Sequence, residues 1–489
     1  MSDLMMSTLQ SLDDRFRSPH NPRAVQSAPT DLSGDASPLL DSLAHFATTL
    51  DLELVPSNVR RQAGLCILDT IGCILAGADT PEGAMLFEAE SESNGGRVAS
   101  VIGRSQVLPI EAAARVHGYW GDIFELNDLI GGHASIGNVA AALSLIENCE
   151  ASGAALLKAV IIGIEVTSRV YASVYPSLKP YTEVAMVTPG LVSAFGSAAV
   201  AASLQGMSCD KTREALAIAG TLATWCPAEA IFGSGGTVKP MLFGAWPAAI
   251  GVRSVHYANH GMTGPSRLLE SRIGLFATLC REFDSSVTAD NTRWFLAEPR
   301  RKLHACCGYT HSVIDLLIEI RNRLGAAALD QSTIRVAMPA YVIPAISKPK
   351  PPASPNEARF HIEYCAALAA CGADVILPEH STDIHIHLTR PEIRAMMANI
   401  EVVADPELSH YHQSRIMVLK DGAALHDANC DAPRGSALNP LSDAQVIEKF
   451  QRLSKQRLSA RASSEYAVRF TQLERETTSK WIFEELCPT

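Results

Sequence analysis

Residues 117–143 read HGYWGDIFELNDLIGGHASIGNVAAAL, and place Asn127 and Asp128 just ahead of His133 and Ser135. Between them Gly131 and Gly132 permit backbone angles that other residues avoid, which predicts a tight loop between two helices. A carboxylate and an imidazole presented on such a loop can move protons to and from a bound molecule. A structural alternative stays open at this point: Asn127 and Asp128 cap the next helix, and His133 is a buried histidine with its hydrogen bonds satisfied.

Three further patches carry chemistry-capable side chains. In FGSGGTVKPMLFGAWPAAIGV, Gly233, Gly235 and Gly236 precede Lys239. A glycine-rich turn before a lysine can aim N–H groups and an ammonium at one anion; the GKS/T order of a phosphate loop is absent, and an exposed lysine at a helix start is the commoner case. RKLHACCGYTHS brings Lys302, Cys306, Cys307 and His311 to an expected domain junction, a frequent place for ligands. Two adjacent cysteines suit tetrahedral zinc poorly and no second pair follows, so no metal is expected. NEARFHIEYCAALAACG starts a helix with Arg359, His361 and Tyr364; Arg359 can clamp a carboxylate with two parallel bonds. Its alternative is a solvated arginine beside a core tyrosine. Taken together, three cations (Lys239, Lys302, Arg359), two titratable imidazoles (His133, His311) and Asp128 suit a small polycarboxylate that loses a proton next to a carboxylate.

The elements that must position these groups are mostly helices. VRRQAGLCILDTIGCILAGA has helical apolar spacing, with Ser57 as its expected cap. Residues 109–300 are dominated by Ala-rich segments such as NVAAALSLIE and SAFGSAAVAASL, whose small faces let helices approach closely. Glu165 and Arg169 stand at i,i+4 and read as a local ion pair. RVASVIGRSQV is a short extended piece. From about residue 330, STIRVAMPAYVI, STDIHIHLTR and SRIMVLKDGAALHDA alternate with period two, and Asp421-Gly422 marks a hairpin turn. PEIRAMMANIEVVADPEL adds a helix and a strand, and Ser442 caps a final helical stretch. The expected architecture is mainly α: a tail at 1–37, a large helical domain at 38–304 with 438–489 packing back on it, and a smaller α+β lid domain at 305–437.

Composition limits the partners. The 489 residues include 41 basic and 52 acidic side chains, a formal charge of −11, with 47% hydrophobic and 19% charged residues. Such a chain is compact, and a poor binder of nucleic acid or anionic membranes. No apolar run approaches the ~20 residues of a membrane span. The first twenty residues mix Asp with Arg and lack an apolar signal core, and Leu486-Cys487-Pro488-Thr489 matches no retrieval signal. Twelve scattered cysteines read as reduced thiols. The expected location is cytoplasmic, with a mitochondrial presequence left open although its acidic residues argue against it.

The segments LDTIGCILAGA, ELND…HAS, GIEVTSR, VKP…GAWPAAIGV…HGMTGP, KLHACCGYTHS, NEARFHIEY and RPEIRAMMANIEVVADPEL occur in this order from about residue 39 to 455. Their succession resembles the MmgE/PrpD family, which includes 2-methylcitrate dehydratase, cis-aconitate decarboxylase and iminodisuccinate epimerase. The resemblance implies a helical domain with an α+β lid, a homodimer, and catalysis without metal or organic cofactor. It matches Asp128 to the second acid of the family's acidic pair, His133 to its loop histidine, and Lys239 and Lys302 to its substrate-facing lysines. The chain departs from the family in two places. The Asp128–His133 loop is shorter, and Val187 stands where the decarboxylase and epimerase branches carry a histidine. Val187 and the Asn-Asp pair resemble the dehydratase branch, whereas KLHACCGYTHS is closer to the fungal decarboxylases. The expected reaction is dehydration of a citrate-like or 2-alkylcitrate-like acid. Decarboxylation of a cis-aconitate-like acid, epimerisation, and a ligand-binding protein without activity are the alternatives. The expected roles are Asp128 orienting His133 as acid–base, Lys239, Lys302 and Arg359 holding carboxylates, and His311 or Tyr364 supplying the other proton. Asn127 and Ser135 are expected to touch the substrate, and Val187 to make room for an alkyl chain.

Overall fold

Alanine and glycine set how closely the helices approach. The computed structural model describes residues 38–233, 235–290 and 292–486; the expected tail at 1–37 and the terminal Cys487-Pro488-Thr489 lie outside the described residues. The helical part is built around α1 (Ser57–Ala78), α2 (Ile110–Asp122), α3 (Ala134–Leu145), α4 (Gly153–Val174), α5 (Ser193–Leu204) and α6 (Trp246–Asn259). α5 packs against α3, α4 and α6 at once, as a helix of Ala, Gly and Ser with small sides all round can do. α1 is long and apolar enough to cross a membrane by length and composition, but 83% of its apolar window is buried inside the protein. Ser57 does not cap it: Pro56 occupies the cap position, Ser57 is the first helical residue, and no side-chain cap bond forms. The proline sets the extended angles at the entry instead.

The Glu165–Arg169 pair is more than a surface bridge. Both side chains are fully buried at 2.9 Å. Glu165 also accepts from the Leu296 N–H (3.0 Å), and Arg169 donates to the Asp290 carbonyl (3.2 Å). The pair therefore anchors the segment that leads into residues 298–302.

The second core is α+β. Strands β3 (Thr333–Met338), β4 (Ile400–Ala404), β5 (Ser414–Lys420) and β6 (Ala423–Cys430) form one sheet in the order β4-β3-β5-β6, while β1 (Ala99–Ser100) and β2 (Val107–Leu108) form a separate antiparallel pair. Within the larger sheet, β3 and β4 run parallel and the other pairs antiparallel. Ile334, Val336 and Met338 of β3 and Ile416 and Val418 of β5 are buried, the period-two face expected of a one-sided sheet. Asp421 and Gly422 both have positive φ at the β5–β6 turn, as a tight hairpin demands. The stretch STDIHIHLTR is a correction: it forms two short helices, Pro378–Thr382 and Ile384–Thr389. Ser381 and Ile384 are buried and Leu388 packs on the same core, whereas Ile386 is exposed. The buried positions follow i, i+3, i+7, so helical periodicity prevails over the Ile-His alternation. Past the sheet, α7 (Asp443–Ser454), with a Ser442–Gln445 capping box, and α8 (Ala460–Thr471) return to pack on α1.

Candidate active site

Three chain segments converge at the end of α2. The helix delivers Asp122 at its last turn, and the chain then reverses through Glu125, which adopts a left-handed φ of 53°. Lys239 arrives because the following irregular turn, Met241–Ala245, presses against α2 where Gly118 and Gly244 touch backbone to backbone: a Cβ on Gly118 would lie 2.4 Å from the Gly244 carbonyl carbon. Lys302 arrives by strand-like pairing, in which the Leu129 N–H donates to the Arg300 carbonyl (2.8 Å) and Asp128 bridges Arg301. The result is a buried cluster. Lys239 Nζ lies 2.9 Å from an Asp122 oxygen and also pairs with Glu125, whose other oxygen accepts from Lys302 Nζ at 2.5 Å.

The hydrogen bonds assign the proton on His133. The Asp122 carboxylate, paired with Lys239, only accepts; the Asn127 amide nitrogen therefore donates to it (2.5 Å). That turns the Asn127 oxygen toward His133 Nδ1, 2.6 Å away. Nδ1 must carry the hydrogen, which leaves Nε2 as the basic nitrogen. Burial, with Lys302 nearby, holds the imidazole well below its ordinary pKa, so it is neutral at pH 7. Its ring rests against Phe243 at 5.1 Å. Gly131, Gly132 and His133 are consecutive left-handed residues, with φ of 49°, 72° and 70°. Histidine is among the non-glycine types that tolerate this region, at a cost.

Burial lowers Lys239 to about 8, with Lys302 adding to the shift and Asp122 opposing it. It lowers Lys302 as well, and raises Asp122 against the pull of Lys239. The two lysines and two carboxylates balance in charge. Each ammonium has three donors, so neither lysine is exhausted by its carboxylate partners.

The site residues expected from sequence are only partly gathered here. His133 lines a cavity of about 810 Å³, and Glu125 lines it too. Lys239 and Lys302 stand directly behind Glu125, and Asn127 behind His133. Asp128 does not orient His133: its carboxylate accepts from the Ser135 hydroxyl and backbone N–H (3.4 Å for the latter). The reason is geometric: Asn127, not Asp128, faces the imidazole across the glycine loop, and Ser135 is turned to Asp128 rather than to the cavity. His311 Nε2 lies 3.3 Å from the Cys306 carbonyl and its ring meets His304 edge-on, away from the cavity wall. The Tyr364 hydroxyl donates to the His380 carbonyl (2.5 Å). Arg359 is buried, pairs with Glu82 at 3.0 Å and donates to Ser381 at 3.1 Å; its Nη1 has no hydrogen-bond partner among the described residues. Asp122 and Glu125 are what sequence reading missed. Their signal was two acids three residues apart in the apolar run WGDIFEL, where a solvated face is unavailable.

The rest of the cavity is mostly apolar and aromatic, with Lys179, Glu298, Arg300 and His410 as its further charged or titratable lining. Val187 lines it, so no imidazole stands at that position; Leu129, Phe243 and several tyrosines complete the wall.

Comparison with known proteins bears on the family of the chain. A cis-aconitate decarboxylase-like protein, oryM, of Aspergillus oryzae is 24% identical over 447 residues, covering 84% of this chain and 89% of its own length. The cis-aconitate decarboxylase of Homo sapiens is 28% identical over 325 residues, 63% of this chain and 64% of that protein. That of Aspergillus terreus is 22% identical over 451 residues, covering 86% and 90%. The MmgE/PrpD N-terminal domain matches residues 41–288 and the MmgE/PrpD C-terminal domain residues 304–473. The first contributes Asp122, Glu125, His133 and Lys239, while Lys302 lies on the connection to the second. With both domains matched in order over most of its length, the chain belongs to the MmgE/PrpD family.

Proposed function

We propose that the protein is a lyase that removes water from a citrate-like or 2-alkylcitrate-like acid. The observation that carries this reading is the pair of reactive groups at the cavity, neutral His133 and Glu125, backed by two buried ammonium groups. His133 Nε2 takes the proton beside a substrate carboxylate. That proton is weakly acidic, so the largest contribution is electrostatic: Lys239 and Lys302 stabilise the negative charge that develops on the carboxylate. The hydroxyl leaves as water with a proton supplied from the Lys239–Glu125–Lys302 cluster. Positioned acid–base groups of this kind add roughly 10²–10⁴-fold. Arg359 does not line the cavity, and its bonds to Glu82 and Ser381 give it a structural part instead of the expected carboxylate clamp.

Decarboxylation of a cis-aconitate-like acid is the second reading, and the similarity to cis-aconitate decarboxylases favours it. Val187 on the cavity wall favours dehydration, because it puts an aliphatic side chain where the sequence resemblance sets a histidine of the decarboxylases; the second imidazole that lines the cavity is His410. Proton NMR in D₂O with citrate, 2-methylcitrate and cis-aconitate, run separately, tests the choice. An olefinic product from a citrate, without carbon dioxide, is expected. A new methylene pair from cis-aconitate with carbon dioxide release would replace dehydration by decarboxylation, and inertness toward every tricarboxylate tried would overturn the lyase assignment.

A further inference from the structure

The cavity is far larger than that reaction needs. A citrate-sized acid requires only the buried end, at Glu125, His133 and Cys307. The whole cavity measures about 810 Å³, within the roughly 300–1,000 Å³ of pockets that enclose drug-sized molecules. Most of its remaining wall is apolar and carries a connected track of rings, with Lys179, Glu298, Arg300 and His410 lining it as well. Tyr341, 47% exposed at the mouth, contacts Tyr309 at 6.5 Å. Tyr309 contacts Phe232 at 6.2 Å, and Phe232 meets Phe360 edge-on at 6.1 Å. Phe360 is buried, with its ring 5.9 Å from Lys239 Nζ. The track thus runs from solvent to the charged cluster. Leu129 and Val187 add aliphatic surface to the same wall. Rings and methyl groups reward hydrocarbon and offer little to a second carboxylate-rich molecule.

We propose that the substrate is an amphiphile: a polycarboxylate head at Glu125 and His133 bearing an extended alkyl or aryl substituent that lies along the rings toward Tyr341. The head rests on the lyase reading above; the tail compartment stands on the cavity itself.

The test uses the full-length protein and citrates carrying hydrogen, methyl, hexyl or decyl at one carbon. Each methylene buried should raise kcat/KM by roughly fourfold until the cavity is filled, so the five added methylenes of the hexyl acid should put it about a thousandfold above the methyl acid. Val187→Trp, which fills the wall, should remove most of that advantage while reducing turnover of the methyl acid far less. Equal losses on both acids would show that Val187 does not meet the tail and would overturn its assignment. Calorimetric binding of succinate and alkylsuccinates to the unmodified protein supplies a readout that needs neither turnover nor a folded variant. Turnover that is flat or falling along the citrate series would overturn the tail compartment and leave the lyase reading intact. No turnover, with alkylsuccinate binding that tightens with chain length, would do the reverse. No turnover and no chain-length dependence would overturn both.

Discussion

At the scale of single residues, His133 is made a base by a proton it is obliged to carry. Asp122 orients the Asn127 amide, the amide fixes hydrogen on Nδ1, and Nε2 is left with its lone pair. His133→Asn removes that base while keeping a residue type that accepts left-handed angles. It should lower kcat by roughly 10²–10⁴-fold, with the thermal transition little changed; full activity in this variant would place the base elsewhere. Asp128 is predicted to behave in the opposite way. Burial raises its carboxyl from 3.8 to about 7, with Ser135 and Arg301 opposing the shift. Below about pH 4 it is protonated whether folded or unfolded. As pH rises from there to about 7 only the unfolded chain ionises, so the folded state binds more protons and stability falls; above 7 the cost is complete. Asp128→Asn removes that cost. It should raise the melting temperature clearly at pH 8 and little at pH 4, with kcat within about tenfold of the unmodified enzyme, the loss expected of a group that works only through neighbouring packing. A loss like that of His133→Asn would return Asp128 to the chemistry.

At the scale of elements, the loop between α2 and α3 was legible because its signals are local. Gly131 and Gly132 announce the turn, and the apolar periods on either side announce the helices. STDIHIHLTR was misleading because alternation in a short segment does not reveal which face will be covered; Ser381, Ile384 and Leu388 are covered by a helix-forming contact set. For Asp122 and Glu125 the apolar run WGDIFEL signals burial but not the partners. Each reads as an unpaired acid until Lys239 and Lys302, more than a hundred residues away, are brought to them. The glycine turn makes a direct prediction. In Gly131→Ala the new Cβ would lie 2.4 Å from Ser168 Oγ and 2.7 Å from Ser168 Cα, at a φ of 49°. The variant should lose about 1–3 kcal/mol of stability, and because His133 follows two residues later, kcat should fall with it. Denaturant unfolding and steady-state kinetics on the same preparation check both; a stable, fully active Gly131→Ala would show that the loop can relocate without moving the imidazole.

At the scale of the whole molecule, the C-terminal helices complete the site from behind. In α7, Val446, Lys449 and Phe450 share a buried face. A lysine there reads from sequence as the edge of a solvated stripe, since helix periodicity cannot say what lies opposite. Here it meets three distant parts of the chain. Lys449 Nζ donates to the Leu126 carbonyl at 2.7 Å and the Lys302 carbonyl at 2.8 Å, and pairs with Asp69 of α1 at 2.7 Å. One buried ammonium therefore ties the backbone beside Glu125 to the backbone that carries Lys302. Lys449→Met should cost about 3–5 kcal/mol, because Asp69 is left as an uncompensated buried charge. Pairing it with Asp69→Leu removes that charge and should restore most of the stability. It cannot restore a donor to the two carbonyls, so the spacing of Glu125 and Lys302 should stay loose and kcat should remain depressed in the stable double variant. Recovery of both stability and kcat would mean that Lys449 supports only the fold; recovery of stability alone identifies the C-terminal helix as part of what positions the charged cluster.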